Sequence, residues 1–262
     1  MLDKKIILYL AIIAFFLSFD KWDSIFIGIS NFIFSLVYTI VAFTILKLVY
    51  SLVSSYYGLF VDFKLLEIEK SIKTYNHIKK EIVEKKKRIN LSYVLTLIFS
   101  FLSAGFLIPI LFSLDFLVIE SKRLGKSKNL EVTYSEKAKI IFLSTIFVWI
   151  IFSILKYLSF FGTIFVGFAY YTYKFLFYYT VSSIIPFCLI LTPLISSKMG
   201  YKYLRISIGD IYLMTKKPFL VASTITLLFL SIFSLIIHPI LLLLASIIIY
   251  GVFWLRKYAE TI

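Results

Sequence analysis

Apolar runs of about 20 residues, separated by short basic segments, recur along the whole chain, and each is long enough to span a hydrocarbon core of about 30 Å. No other feature restricts the fold as much. The chain is 61% hydrophobic with a mean hydropathy of +0.96, whereas a soluble domain is about half apolar. Lipid leaves a backbone few alternatives to the helix. The pattern therefore predicts an all-α polytopic membrane protein with no separate soluble domain.

The charges suggest a topology. The sequence carries 28 Lys and Arg against 14 Asp and Glu, a formal net charge of +14. All basic residues except Lys21, Lys47, Lys156 and Lys174 fall at the N-terminus, in 62–90, 120–139 and 198–217, or at Arg256-Lys257. Cytoplasmic loops are the ones enriched in Lys and Arg, so each apolar block should enter and leave on one side. Ile6–Phe19 and Ser24–Leu59 form a hairpin turning at Asp20–Asp23. The first of these follows Lys4-Lys5 as a signal peptide would, but it lacks a small-residue cleavage site and reads as a retained helix. Residues 140–197 hold two spans, and Phe219–Leu255 holds two more, turning at His238-Pro239. Leu91–Ile119 is too short for two spans, is broken by Gly105 and Pro109, and reads as a re-entrant hairpin. The expectation is about six transmembrane helices, one re-entrant hairpin and a basic cytoplasmic amphipathic helix. It describes a multi-pass cell-membrane protein with both termini cytoplasmic. Its parts are an N-terminal hairpin (1–61), the amphipathic helix (62–90) and a transmembrane core (91–262).

In 62–90 the apolar positions Leu65, Ile68, Ile72, Tyr75, Ile78, Ile82 and Ile89 fall mostly three or four apart, as on one helical face. Lys85, Lys86, Lys87 and Arg88 then sit where the chain returns to the membrane, and would contact anionic lipid headgroups at about 1 kcal/mol each. The alternative is a docking arm for a partner protein or a ribosome. No nucleic-acid-binding motif is present. Residues 198–217, with Asp210, read as a short interfacial helix or strand pair.

Chemistry-bearing residues are sparse. One cysteine, Cys188, allows no internal disulfide. The two histidines, His77 and His238, are far apart in sequence and cannot build a zinc site, which needs several converging ligands. Lys47 and Ser51 are one turn apart, a spacing that arises often by chance. Two charges fall at membrane depth, Lys47 and Asp115, and such residues usually face the bundle interior and pair. They are expected to pair with each other. No catalytic residue, metal or other cofactor is expected.

The stretch from Val41 to Lys64, VAFTILKLVYSLVSSYYGLFVDFK, resembles without a gap the second helix of archaeal site-2 proteases, LAFVLHELAHKFVAQRYGAWAEFR. Tyr57-Gly58 matches Tyr-Gly, and Asp62-Phe63-Lys64 matches Glu-Phe-Arg. The HExxH positions become Leu46, Lys47, Leu48, Val49 and Tyr50, so both zinc histidines and the catalytic glutamate are replaced. Ser182–Met199, SSIIPFCLILTPLISSKM, resembles the family's third-ligand segment NLIPFGPLDGSKI with four residues inserted, and Ile195 stands at the ligand aspartate. Ser135–Thr145 resembles REENGKIALAGP, whose downstream asparagine corresponds to Val148. The resemblance implies an intramembrane metalloprotease fold without its metal. Its cavity would be lined by Leu46, Lys47, Tyr50 and Ile195.

On that resemblance the expected function is that of a pseudoprotease, a non-catalytic protein that binds or regulates transmembrane clients. A membrane-protein insertase of the Oxa1/YidC type would also use a cytoplasmic arm and a basic residue in a groove. A small-solute transporter built on Lys47 and Asp115 is the third alternative. Expected partners are the anionic bilayer surface and a transmembrane client or partner protein.

Overall fold

The computed structural model describes residues 3–19, 22–76, 81–119, 132–158, 163–192 and 201–215, together with residues 244, 245, 247, 248, 251 and 252. Helix α1 (Lys4–Ser18) starts where the Asp3 side chain accepts from Lys5 N. Helix α2 (Ile25–Tyr56) starts where Ser24 Oγ accepts from Ile27 N. These caps occupy amide donors that the first turn leaves free. The helices form an antiparallel hairpin clasped by the Ser35 hydroxyl, which donates to Ala14 O at 2.9 Å. Helix α2 buries Ser35, Thr39, Ala42, Leu46, Val49 and Tyr50, spaced three or four apart. Its opposite face exposes Phe26, Ile29, Ile33, Phe34 and Val37, with Phe26 88% accessible. Gly58 ends the helix with φ +69°, a conformation other residues adopt at a cost.

Strand β1 (Leu59–Leu65) follows at once and buries alternate residues Leu59, Val61, Phe63 and Leu65. Residues 62–90 are therefore not an amphipathic helix. They comprise most of β1 together with β2 (Glu67–Asn76) and β3 (Glu81–Asn90), which pair antiparallel with Ile68 opposite Ile89 and Thr74 opposite Val83. The apolar spacing fits a helical face, but the segment is dense in Ile, Val and Thr, which favour strands. In a ladder each strand also supplies the other's backbone hydrogen bonds.

Residues 91–119, expected as a re-entrant hairpin within an all-α fold, combine a helix with a strand. Helix α3 (Leu91–Leu102) gives way at Ser103–Gly105 to an extended stretch, then to β4 (Phe112–Val118), which pairs antiparallel with β1. Side chains hold the extended stretch by its backbone. Leu111 N donates to Tyr9 Oη (2.8 Å), Thr96 Oγ1 to Pro109 O (2.6 Å), Ser92 Oγ to Leu111 O (2.8 Å) and Ile110 N to Ser182 Oγ (2.9 Å). Non-helical backbone in an apolar setting needs such partners.

The described chain continues with α4 (Tyr134–Leu158), α5 (Thr163–Ile184), the single turn α6 (Phe187–Leu191), β5 (Tyr201–Tyr203) and α7 (Ile208–Leu213). The first sheet pairs β1 with β4, and the second has the order β3-β2-β5. The main core gathers Phe43, Tyr50, Phe63, Phe112, Phe142, Phe175 and Tyr179 between the sheet β1-β4 and helices α2, α4 and α5. Among the described residues two helices, α2 and α4, are long and apolar enough to cross a membrane. Among the described residues, two candidate spans and two sheets stand in place of the expected six-helix all-α architecture. The spans expected in 219–255 lie almost wholly outside the described residues.

Candidate functional site

The last three turns of α2 carry the positions that the sequence singles out. Leu46 and Tyr50, one turn apart, are fully buried in the core, with Val49 beside them. Tyr50 packs edge-on against Phe63 of β1, centroids 5.1 Å apart, and accepts a 2.8 Å hydrogen bond from the Tyr179 hydroxyl of α5. Thr145 of α4 lies beside the hydroxyls of both Tyr50 and Tyr212 of α7. Four helices thus bring hydroxyls together in an otherwise apolar interior. Thr145 Oγ1 donates to Ile141 O at 2.8 Å, while the buried Tyr212 hydroxyl makes no hydrogen bond among the described residues. Val148 is buried in the same core. Ile195 and the two histidines lie outside the described residues.

Lys47 turns away from this interior. Its Nζ is 3.9 Å from Asp62 Oδ1 on the outer face of β1, and its side chain is 37% exposed. Asp115 is opposite Asp62 in the β1-β4 ladder and is held by Arg205 Nε at 3.6 Å. The two charges that the sequence suggests as a pair are therefore near each other but bound to other partners.

Further ion pairs continue the belt. Lys64 reaches Asp62 at 2.8 Å, Arg205 also reaches Glu67 at 3.5 Å, and Lys5 reaches Glu67 at 3.0 Å. Lys86 and Arg88 both contact Glu69, at 3.6 and 3.3 Å. Lys87 is exposed on β3, and the Lys85 backbone is paired opposite Ile72. The hydrogen bond that the Lys64 ammonium donates to Asp62, with the carboxylate's negative charge, raises the Lys64 pKa above its ordinary value.

The sequence reading missed the role of Asp210. It is wholly buried at the third position of α7, where Ser207 caps the helix and completes a reciprocal capping box. Its carboxylate accepts from Ser207 N and Oγ and from the amides of Cys188 (3.2 Å) and Leu189 (3.1 Å) at the start of α6. One carboxylate therefore caps two helices. The Ser-x-x-Asp spacing was visible in the sequence, but its second helix was not. Burial, reinforced by Asp210, pushes the Cys188 thiol well above its ordinary range, so it stays protonated and is a poor nucleophile. Among the described residues no three His, Cys, Asp or Glu side chains group as metal ligands would. What this arrangement offers chemically is a closed hydroxyl cluster inside and a mixed-charge belt outside.

Comparisons with protein-family models, with curated proteins and with solved structures each return no match.

Proposed function

We propose that the chain is a membrane-embedded, non-catalytic protein resembling site-2 proteases, which binds or regulates transmembrane clients. The observation that carries this reading is the filling of the motif positions. Leu46 and Tyr50 occupy the interior where zinc ligands would stand, and the Tyr179–Tyr50 hydrogen bond closes the space between α2 and α5. Lys47, at the general-base position, is turned outward to Asp62.

The charge belt supports the membrane part of the proposal. The Ser35–Ala14 clasp puts Lys5, nine residues before Ala14, level with Thr44, nine residues after Ser35. Lys5, Lys47 and their partners then mark one level of the molecule. From Ile25 to Thr44, α2 rises about 30 Å, the thickness of a hydrocarbon core. The exposed Phe26, Ile29, Ile33, Phe34 and Val37 face lipid over that length, and the belt meets the headgroups on the cytoplasmic side. On this reading Lys4-Lys5, at the start of α1, belong to that side.

The alternatives have less support. The insertase reading drew on a helical arm at 62–90, and that segment is β-sheet. The transporter reading drew on a Lys47–Asp115 pair, and each residue has another partner.

The test is photo-crosslinking in native membranes from position 37, whose valine is 50% exposed on the lipid-facing stretch of α2. Adducts within transmembrane segments of mature membrane proteins are the expected result. Ribosome-bound nascent chains would instead favour the insertase, and adducts to lipid alone would end the client-binding proposal.

A further inference from the structure

The charge belt is concave between the starts of α1 and α3. Asp3 caps α1 and brings Lys4 and Lys5 to the first turn, with Leu8 one turn further on. The end of β3 presents Arg88 and then Asn90, whose Oδ1 accepts from Tyr93 N and starts α3. The Tyr93 hydroxyl donates to Lys5 O and ties the two helix starts together. Between them is a cavity of about 330 Å³, lined by Lys4, Lys5, Leu8, Glu67, Arg88, Asn90 and Tyr93.

This cavity has the chemistry of an anion site. Lys4, Lys5 and Arg88 line it together with Glu67, which is shared between Lys5 and Arg205, while Arg88 also meets Glu69, which it shares with Lys86. Asn90 adds an amide donor, because its Nδ2 is buried without a hydrogen-bond partner among the described residues. A buried donor left unmade is costly, and an acceptor oxygen in the cavity would relieve it. Arg and Lys together hold phosphate by forked hydrogen bonds and point charge. Beside this polar wall the surface turns apolar, with Ile7 and Leu8 exposed at 44% and 58%. An occupant that meets both surfaces carries a phosphate and a hydrocarbon chain.

We propose that this cavity is a headgroup site for an anionic phospholipid. Lys4, Lys5, Arg88 and the Asn90 amide hold the phosphodiester, and Ile7 and Leu8 meet the acyl chains. The proposal rests on the membrane placement above, and it goes further by choosing one pocket and one lipid class over diffuse attraction to the basic surface.

The test reconstitutes the full chain into vesicles of phosphatidylcholine alone or mixed with phosphatidylglycerol, then extracts it in neutral detergent. The readout is the ratio of the two lipids that co-purify. The wild type should enrich phosphatidylglycerol, with about a fivefold loss for each basic residue removed in K4Q and R88Q. R88K should retain most of the enrichment. K87Q is the charge-matched control, because Lys87 points to the opposite face of β3 from Arg88, and it should behave as wild type. Equal losses in K87Q and R88Q would overturn the pocket in favour of diffuse charge, and so would no enrichment in the wild type. Displacement of the lipid by inorganic phosphate as readily as by glycerophosphoglycerol would reassign the cavity to a free anion and overturn the lipid assignment. Failure to incorporate into phosphatidylcholine vesicles at all would instead count against the membrane placement itself.

Discussion

The Tyr179 hydroxyl donates to the Tyr50 hydroxyl across 2.8 Å, and this bond joins α5 to α2 within the main core. Deleting one hydroxyl is not equivalent to deleting the other. Tyr50→Phe leaves the Tyr179 hydroxyl buried with its acceptor gone, an unmade donor that costs about 1–3 kcal/mol. Tyr179→Phe removes only a donor, and Tyr50 keeps Thr145 beside it. The expected order of thermal stability in detergent is wild type, then Y179F, then Y50F. The double variant should be less destabilised than the sum of the singles. Additive losses would mean that the two hydroxyls do not interact.

Gly209 and Asp210 fix α7 to the rest of the core. A Cβ at Gly209 would lie 2.2 Å from the Ile185 carbonyl oxygen, a backbone atom that cannot swing away. Gly209→Ala should therefore fold poorly or unfold many degrees earlier. Asp210→Asn keeps the shape but turns an amide NH2 toward a site where four donors converge on the carboxylate. The expected loss is about 1.5–3 kcal/mol, the scale for hydrogen bonds to a charged group, read by denaturant unfolding. A D210N protein as stable as wild type would show that those four bonds do not hold α6 and α7 together.

The α1–α2 hairpin was legible, because two apolar runs on either side of the charged turn at Asp20–Asp23 are a local signal. The sequence reading misjudged 62–90 because Ile68, Ile72 and Tyr75 satisfy a helical spacing, while the deciding partners of β2, in β3 and β5, are non-local. Gly105 and Pro109 did mark a reversal, but the strand that follows finds its partner in β1, about fifty residues upstream. The sequence places Lys47 and Asp115 together only as two charges among apolar runs. Asp62, on the adjacent strand, intervenes because strand register sets that distance and a helical reading has no register. Tyr179 and Tyr212 carried no signal, since a tyrosine with a buried hydroxyl partner looks in sequence like any other aromatic.

Within the belt, burial decides which ion pair matters. Glu67 has a side chain only 9% exposed and accepts from both Lys5 and Arg205. Glu67→Gln leaves two cations facing a neutral amide and should cost about 1–3 kcal/mol. Lys47→Met removes a longer, more exposed contact, and exposed pairs are worth about 0–1 kcal/mol. Chemical denaturation should therefore separate the two variants clearly, with K47M near wild type. A large loss in K47M would mean that the lysine holds the α2–β1 junction more firmly than its 3.9 Å contact indicates.

Lys64 makes the belt sensitive to alkaline pH. Its pKa is raised above 10.5, first by the hydrogen bond to Asp62. A folded value above the unfolded one means that folding favours the protonated form. The contribution is fully present below pH 10.5 and disappears as pH rises through the higher folded value. Both side chains of the pair are about a third exposed, so the contribution is small, below about 1 kcal/mol. The measurement is the stability difference between wild type and Lys64→Met, taken at neutral pH and in steps above pH 10.5. It should be constant through neutral pH and close toward zero in the alkaline steps. A difference that widened with pH would reverse the sign and place the stabilisation in the neutral amine.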